Sequence, residues 1–193
     1  MAEPAIRHMT LEEFLRWDDG TDMRYELIDG FPVAMAPPAE AHRILAVRLV
    51  SWIDAALAGR RPCDAQIEPG VVRPDRADSY YVPDIAVTCE PNESSRQAVV
   101  DPILIVEILS PSTKRTDRRL ELPAYQTVES VREIMLIDAD SHRGELYRRE
   151  NDRWPIQLVR GVEATLFPTT VDLWNAMSEL YEGIAISAMT AGS

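Results

Sequence analysis

Two carboxylates stand where a sequence has least reason to put a charge. Asp84 falls within Tyr81-Val82-Pro83-Asp84-Ile85-Ala86-Val87, and Glu107 within Leu104-Ile105-Val106-Glu107-Ile108-Leu109. Both runs read as strands buried on two faces, where an ionised carboxylate is costly unless it is paired or metal-bound. If the strands are neighbours, both acids can converge on one spot at the sheet's edge. Oxygen ligands of that kind suit Mg²⁺ with its retained waters, and such a site could hydrolyse a phosphodiester. The spacing leaves a second reading open, in which Asp84 caps a strand end after Pro83 and Glu107 pairs with an arginine.

The elements that must position these acids follow from the hydrophobic pattern. Thr10-Leu11-Glu12-Glu13 has the form of a capping box and predicts a short helix over Leu11 to Trp17. Arg24 to Ile28 and Phe31 to Met35 flank Asp29-Gly30, a favoured tight turn, and predict a hairpin. From Glu40 to Ala58 the apolar positions Leu45, Leu49, Trp52, Ile53 and Leu57 recur at helical spacing, with Gly59 as the stop. Strands are then expected over Cys63 to Glu68, Tyr80 to Thr88 and Ile103 to Leu109, a helix over Thr116 to Thr127, and a strand over Arg132 to Asp138. Gly144 to Arg149, Trp154 to Val159 and Glu163 to Phe167 read as further strands, and Asp172 to Leu180 as a closing helix.

Composition narrows the class. The 193 residues, 46% hydrophobic and without a repeat or low-complexity linker, are expected to form one domain over 1–193. No apolar run is long enough for a signal peptide or a membrane span, so a cytoplasmic protein is expected. Cys63 and Cys89 are too far apart for a CxxC motif and read as ordinary buried or half-buried side chains. A net charge of -12, from 32 acidic and 20 basic residues, argues against a protein that coats DNA. A local basic strip exists at Lys114, Arg115, Arg118 and Arg119, and a second set at Arg143, Arg148, Arg149 and Arg153. Both fit either a solvated face or a phosphate-contacting one.

Several motifs in order resemble a known family. Arg24-Tyr25-Glu26-Leu27-Ile28-Asp29-Gly30, Pro83-Asp84, Glu107-Ile108-Leu109-Ser110-Pro111-Ser112-Thr113, Asp117 to Tyr125, and Arg132 to Asp138 are similar to the Uma-two family, a branch of the PD-(D/E)XK nuclease superfamily. The resemblance runs from about Met9 to Arg149. It implies an α/β (α+β) restriction-endonuclease-like core, a mixed central β-sheet flanked by helices, to which the sequence adds the N-terminal hairpin and C-terminal strands. It also implies that Asp84, Glu107 and the backbone carbonyl of Ile108 hold Mg²⁺ or Mn²⁺. Such a metal polarises the scissile phosphate and acidifies an attacking water.

One position departs from the family. The superfamily lysine stands two residues after the glutamate, where this chain has Leu109. In the Uma-two branch it lies four residues after an aspartate, and four residues past Asp117 stands Glu121. An anion there opposes the transition-state charge that a lysine would stabilise. Lys114 is the sole lysine of the chain, so rescue falls to it or to an arginine such as Arg118 or Arg119. Arginine stabilises phosphate charge but is a poor base.

Accessory candidates carry two readings each. Glu26 is either a further carboxylate of the site or a strand charge paired with Arg24 or Arg43. His42 is either part of the site or a packing residue. Asp117 reads as a helix cap, Tyr125 as core-facing with its hydroxyl toward the site, and Ser110-Pro111-Ser112-Thr113 as a phosphate cradle or a plain loop. The leading expectation is a metal-dependent endonuclease acting on DNA, with Asp84, Glu107, Glu26 and Lys114 in its catalytic set. The alternatives are a catalytically degenerate nuclease-fold module for binding or assembly, and a hydrolase of another phosphate ester. A homodimer is also open, with the apolar Ile184 to Met189 tail as a contact.

Overall fold

The structure is a computed structural model and describes residues 7–110, 114 and 117–186. It opens on α1 (Leu11–Phe14), where Thr10 and Glu13 form the expected capping box. The hairpin of β1 (Tyr25–Ile28) and β2 (Phe31–Ala34) follows, paired antiparallel with Ile28 opposite Phe31. Asp29 and Gly30 turn it at φ values of 50° and 81°, the left-handed pair that a tight two-residue turn requires. Next come α2 (Glu40–Leu57), β3 (Asp64–Ile67), β4 (Val71–Val72), β5 (Tyr80–Tyr81), β6 (Ile85–Thr88) and β7 (Pro102–Leu109). A π-helical turn (Asp117–Glu121) leads into α3 (Leu122–Gln126), and β8 (Glu133–Asp138), β9 (Arg143–Arg148) and β10 (Ile156–Arg160) complete the large sheet. The chain closes with β11 (Thr165–Leu166), β12 (Asn175–Ala176) and α4 (Met177–Leu180).

The central sheet has the order β10-β9-β8-β7-β6-β3, with β7 and β8 parallel and the other pairs antiparallel. Along β7 successive side chains alternate between two cores. Leu104, Val106 and Ile108 meet Leu45, Leu49, Ile53 and Leu57 of α2, whereas Ile105 and Leu109 meet Leu122 and Tyr125 of α3. Each such leucine or isoleucine contributes roughly 1.5–3 kcal/mol by leaving water. This is the mixed sheet with flanking helices that the sequence implied, including the order α2, β3, β6, β7, α3, β8.

Three expectations are corrected. The apolar run Tyr80 to Thr88 is two strands in different sheets: β5 belongs to the small sheet β2-β1-β5-β4, and β6 to the central one. Pro83 has no N–H to give a ladder, and the chain changes sheets across Val82-Pro83-Asp84. Second, Cys63 and Cys89 are not ordinary side chains but a disulfide, set one step beyond the Asp64–Thr88 rung of the β3–β6 ladder. Third, the closing helix is a single turn, since Asp172 takes φ 53° and residues 175–176 are extended. Of the tail, Ile184 and Ile186 pack on the α2 side of the core, and 187–189 lie outside the described residues. Among the described residues no helix is long and apolar enough to cross a membrane.

Candidate active site

Asp84 ends the crossing between the two sheets, just before β6. In the β6–β7 ladder Ile85 faces Val106 and Ala86 faces Ile105, so one further step of that register sets Asp84 opposite Glu107. Residues opposite each other on neighbouring strands share a face, which is the convergence the sequence reading needs. The Ile108 N–H donates to Asp84 Oδ2 at 2.6 Å. Because one residue's N–H and C=O share a strand edge, the Ile108 carbonyl faces that edge as well. His42 Nε2 lies 3.0 Å from Asp84 Oδ1. It stands three residues ahead of Leu45, so the stripe that buries α2 also aims His42 at the acid.

Glu107, only 6% exposed, accepts a hydrogen bond from the Tyr125 hydroxyl at 2.7 Å through Oε1. Burial above all, then the negative charges of Glu107, Glu121 and Glu26, push that hydroxyl well above its ordinary range, so it stays a proton donor. Glu121 precedes Tyr125 by four residues and therefore shares its helix face. Pro123 sits in the first turn of α3 and offers no N–H to the carbonyl four residues back, and the chain ahead of it winds as the wider π turn. Glu121 remains buried and lines the site, so the acid at the family's lysine position faces the other carboxylates. From β1, Glu26 reaches across to accept the Val82 N–H at 2.8 Å.

Glu26, His42, Val82, Asp84, Glu107, Ile108 and Glu121 line one cavity of about 270 Å³. Its lining carries the acids Glu26, Glu68, Asp84, Glu107 and Glu121 and the apolar stretch of Val33, Ala34, Met35, Ala36 and Pro38, with Val33 beside Glu26 across the hairpin. Neither lysine nor arginine is among the described residues that line it, and His42 is the one side chain there able to carry positive charge. No three His, Cys, Asp or Glu side chains among the described residues group as a closed metal cage. Mg²⁺ takes one or two carboxylates and keeps waters for the rest of its octahedron. Asp84, Glu107 and the Ile108 carbonyl fit this donor set.

Other candidates are placed elsewhere. Lys114 pairs with Asp138 at 3.0 Å and Asp140 at 3.1 Å and is not among the residues lining the cavity. Arg118 binds Glu145 at 2.6 Å, Arg119 is exposed, and Arg115, Pro111, Ser112 and Thr113 lie outside the described residues, as does the side chain of Asp117. In the second basic set, Arg148 binds Glu133 at 2.8 Å, while Arg149 donates to the carbonyls of Gln126, Val128 and Val131 and stacks over Trp154. Those two arginines stitch the fold together. Arg24 pairs with Glu68, and Arg43 with the Pro38 carbonyl, rather than with Glu26. The sequence reading missed Glu68 and the apolar wall. Their signals were the Glu68-Pro69-Gly70 stop after β3 and the unbroken small apolar run from Val33 to Ala39.

The sequence from 11 to 178 matches the Uma2 family, described as "Putative restriction endonuclease". The chain belongs to this family. Two uncharacterized proteins of Synechocystis sp., slr1290 and sll1609, are 28% and 26% identical to it over 175 and 170 residues. These alignments cover 90% and 86% of this chain and 92% and 96% of the relatives. A solved structure from Anabaena variabilis, described as a putative nuclease belonging to DUF820, superposes with a TM-score of 0.71 at 24% identity. It covers 90% of this chain and 97% of that one, and shows that the Uma2 chain has the fold of that neighbour.

Proposed function

We propose that the protein is a metal-dependent endonuclease that hydrolyses DNA phosphodiester bonds at the carboxylate cavity. The observation that carries this reading is the β6–β7 register, which sets Asp84 against Glu107 beside the Ile108 edge. Asp84, Glu107 and the Ile108 carbonyl would hold Mg²⁺ or Mn²⁺, and the bound ion supplies Lewis acidity and a water of lowered pKa. The chain's own groups do the rest. Tyr125 holds one oxygen of Glu107 in place through its hydroxyl. The Ile108 N–H and His42 orient the two oxygens of Asp84. Protonated, His42 would also offset part of the surrounding negative charge.

In this reading Glu26 is an outer carboxylate. Lys114 and Arg118 act near the site only if substrate draws them from Asp138, Asp140 and Glu145. DNA contact by the basic strip, a homodimer, and a single cytoplasmic domain belong to the same proposal. A family member at this fold with Glu121 in the lysine position supports a slow enzyme.

Nicking of supercoiled plasmid in Mn²⁺ tests the reading. Wild type should nick, and Asp84→Asn and Glu107→Gln should not, while both variants keep the wild-type melting temperature. Nicking that survives both substitutions would rule this site out. Mn²⁺ binding by calorimetry with neither the plasmid nicked nor single-stranded DNA cut would replace the enzyme with a binding module.

A further inference from the structure

A second cavity, also of about 270 Å³, adjoins the carboxylate one, and Glu68 lines both. Glu68 follows β3 in a left-handed conformation at φ 48°, an uncommon state for a residue with a side chain. Its own N–H is held by the Asp84 carbonyl at 2.9 Å, and its carboxylate by Arg24. The partition between the two cavities is therefore fixed at both backbone and side chain, directly beside the acid assigned to the metal.

The two compartments have complementary chemistry. The second is ringed by the amides of Gln66, Asn92 and Gln97 and by the guanidinium of Arg96. Gln66 donates to Asn92 Oδ1 at 3.0 Å, and Asn92 donates to Asp64 at 2.7 Å, so those two amides are held in a fixed array. Tyr80 forms part of the wall. Its ring lies against Gly70, where an added Cβ would fall 2.0 Å from the hydroxyl. Amide side chains that offer donors and acceptors side by side, with an aromatic wall, are groups that read the edge and face of a nucleobase. The volume is near the lower end of small-ligand pockets, about 300–1,000 Å³, and fits one base rather than a base pair.

Charge tells against an intact duplex. Tight duplex binding is built on many Lys and Arg contacts to phosphate. Among the described residues lining the two cavities, only Arg96 and His42 can be cationic, and six carboxylates, Glu93 among them, oppose them. Beside those carboxylates the lining of the first cavity is apolar from Val33 to Ala36 and at Pro38, with Val33 43% exposed. An apolar wall gains nothing from phosphates but can pack the flat face of an unpaired base.

We propose that the strand cut at Asp84 and Glu107 is unpaired DNA, whose base next to the scissile phosphate lodges in the Gln66–Asn92–Gln97 cavity while its neighbour packs on the Val33–Pro38 wall. This rests on the nuclease reading and gives that site its substrate class. A paired base would first have to be extruded from its stack, at a cost that an already unpaired strand does not bear.

The test is fluorescence anisotropy with a labelled single strand and the matching duplex, with Ca²⁺ in place of Mg²⁺ to hold off cleavage. The single strand should bind at least about tenfold tighter than the duplex, as stacking and base contacts without phosphate clamps require. The double variant Gln66→Ala/Asn92→Ala should lose most of that preference, with an unchanged melting temperature as the control. Should that variant unfold, Gln97→Ala, at an exposed position, takes its place and should weaken strand binding alone. Equal or tighter duplex binding overturns the inference, as does binding of neither form, or a preference that both variants leave intact. The nuclease reading stands or falls separately, on whether Asp84→Asn and Glu107→Gln abolish nicking.

Discussion

Two buried glutamates on adjacent parallel strands show what burial of a charge can be for. Glu133 opens β8, opposite Leu104 of β7, and Glu107 lies three residues further along β7, opposite Leu136. Around Glu133, at 2% exposure, the protein supplies five donors: Arg148 Nε, and the N–H and hydroxyl of both Thr169 and Thr170. Burial alone would raise its pKa, but the Thr170, Arg148 and Thr169 bonds together hold it below the ordinary value. Glu107 is as deeply placed, yet it fronts a cavity shared with four other carboxylates. A charge whose lone pairs are claimed by the fold is there for stability. One that opens onto a cavity among like charges is, on the function proposed above, there for something that arrives from solution.

The sharpest way to break this comparison is to neutralise each acid in turn. Glu107→Gln should lower nicking by at least about 10²–10³-fold, the scale of losing one electrostatic element of a phosphoryl site, with urea unfolding almost unchanged. Glu133→Gln should do the reverse. It should cost about 1.5–3 kcal/mol, the worth of hydrogen bonds to a charged group, with nicking per folded molecule retained. If Glu133→Gln kills nicking at full stability, the division of roles is wrong.

Acid titration separates the two further. A carboxylate whose folded pKa is depressed contributes stability that is present above its unfolded value, near 4.5, and is lost as pH falls through the lower folded value. Stability of wild type should therefore fall below about pH 4.5, and Glu133→Gln should flatten that fall. A smaller effect is expected at the cavity. Glu121→Lys puts a cation among these carboxylates and should raise nicking about tenfold; an unchanged or lower rate would show that position 121 is not where the phosphate charge is met. The smallest change belongs to Tyr125→Phe, which keeps the ring and removes only the hydroxyl held to Glu107. It should cost about 0.5–1.5 kcal/mol, read as a weaker Mn²⁺ affinity by calorimetry.

What the sequence made legible was local. The Asp29-Gly30 turn, the α2 stripe and the continuous apolar run of β7 each announce themselves within one element, and the family motifs pointed to Asp84, Glu107 and Glu26. What it hid was relational. Cys63 and Cys89 are 26 residues apart, and only the register of β3 on β6 brings them together. Tyr80 to Thr88 reads as one strand because both halves are apolar, and nothing local says that Pro83 divides two sheets. The apolar stretch that shares the cavity with the acids looked like an ordinary strand end, since its meaning lies in what it adjoins.

The crossing at Val82-Pro83-Asp84 has a mechanical consequence. Its first residue is tethered by Glu26 to the small sheet, and its last by Ile108 to the central one. Tilting the hairpin sheet would drag on the same short tether that carries Asp84. A load on that hairpin would thus act, through two peptide units, on the aim of the Asp84 carboxylate.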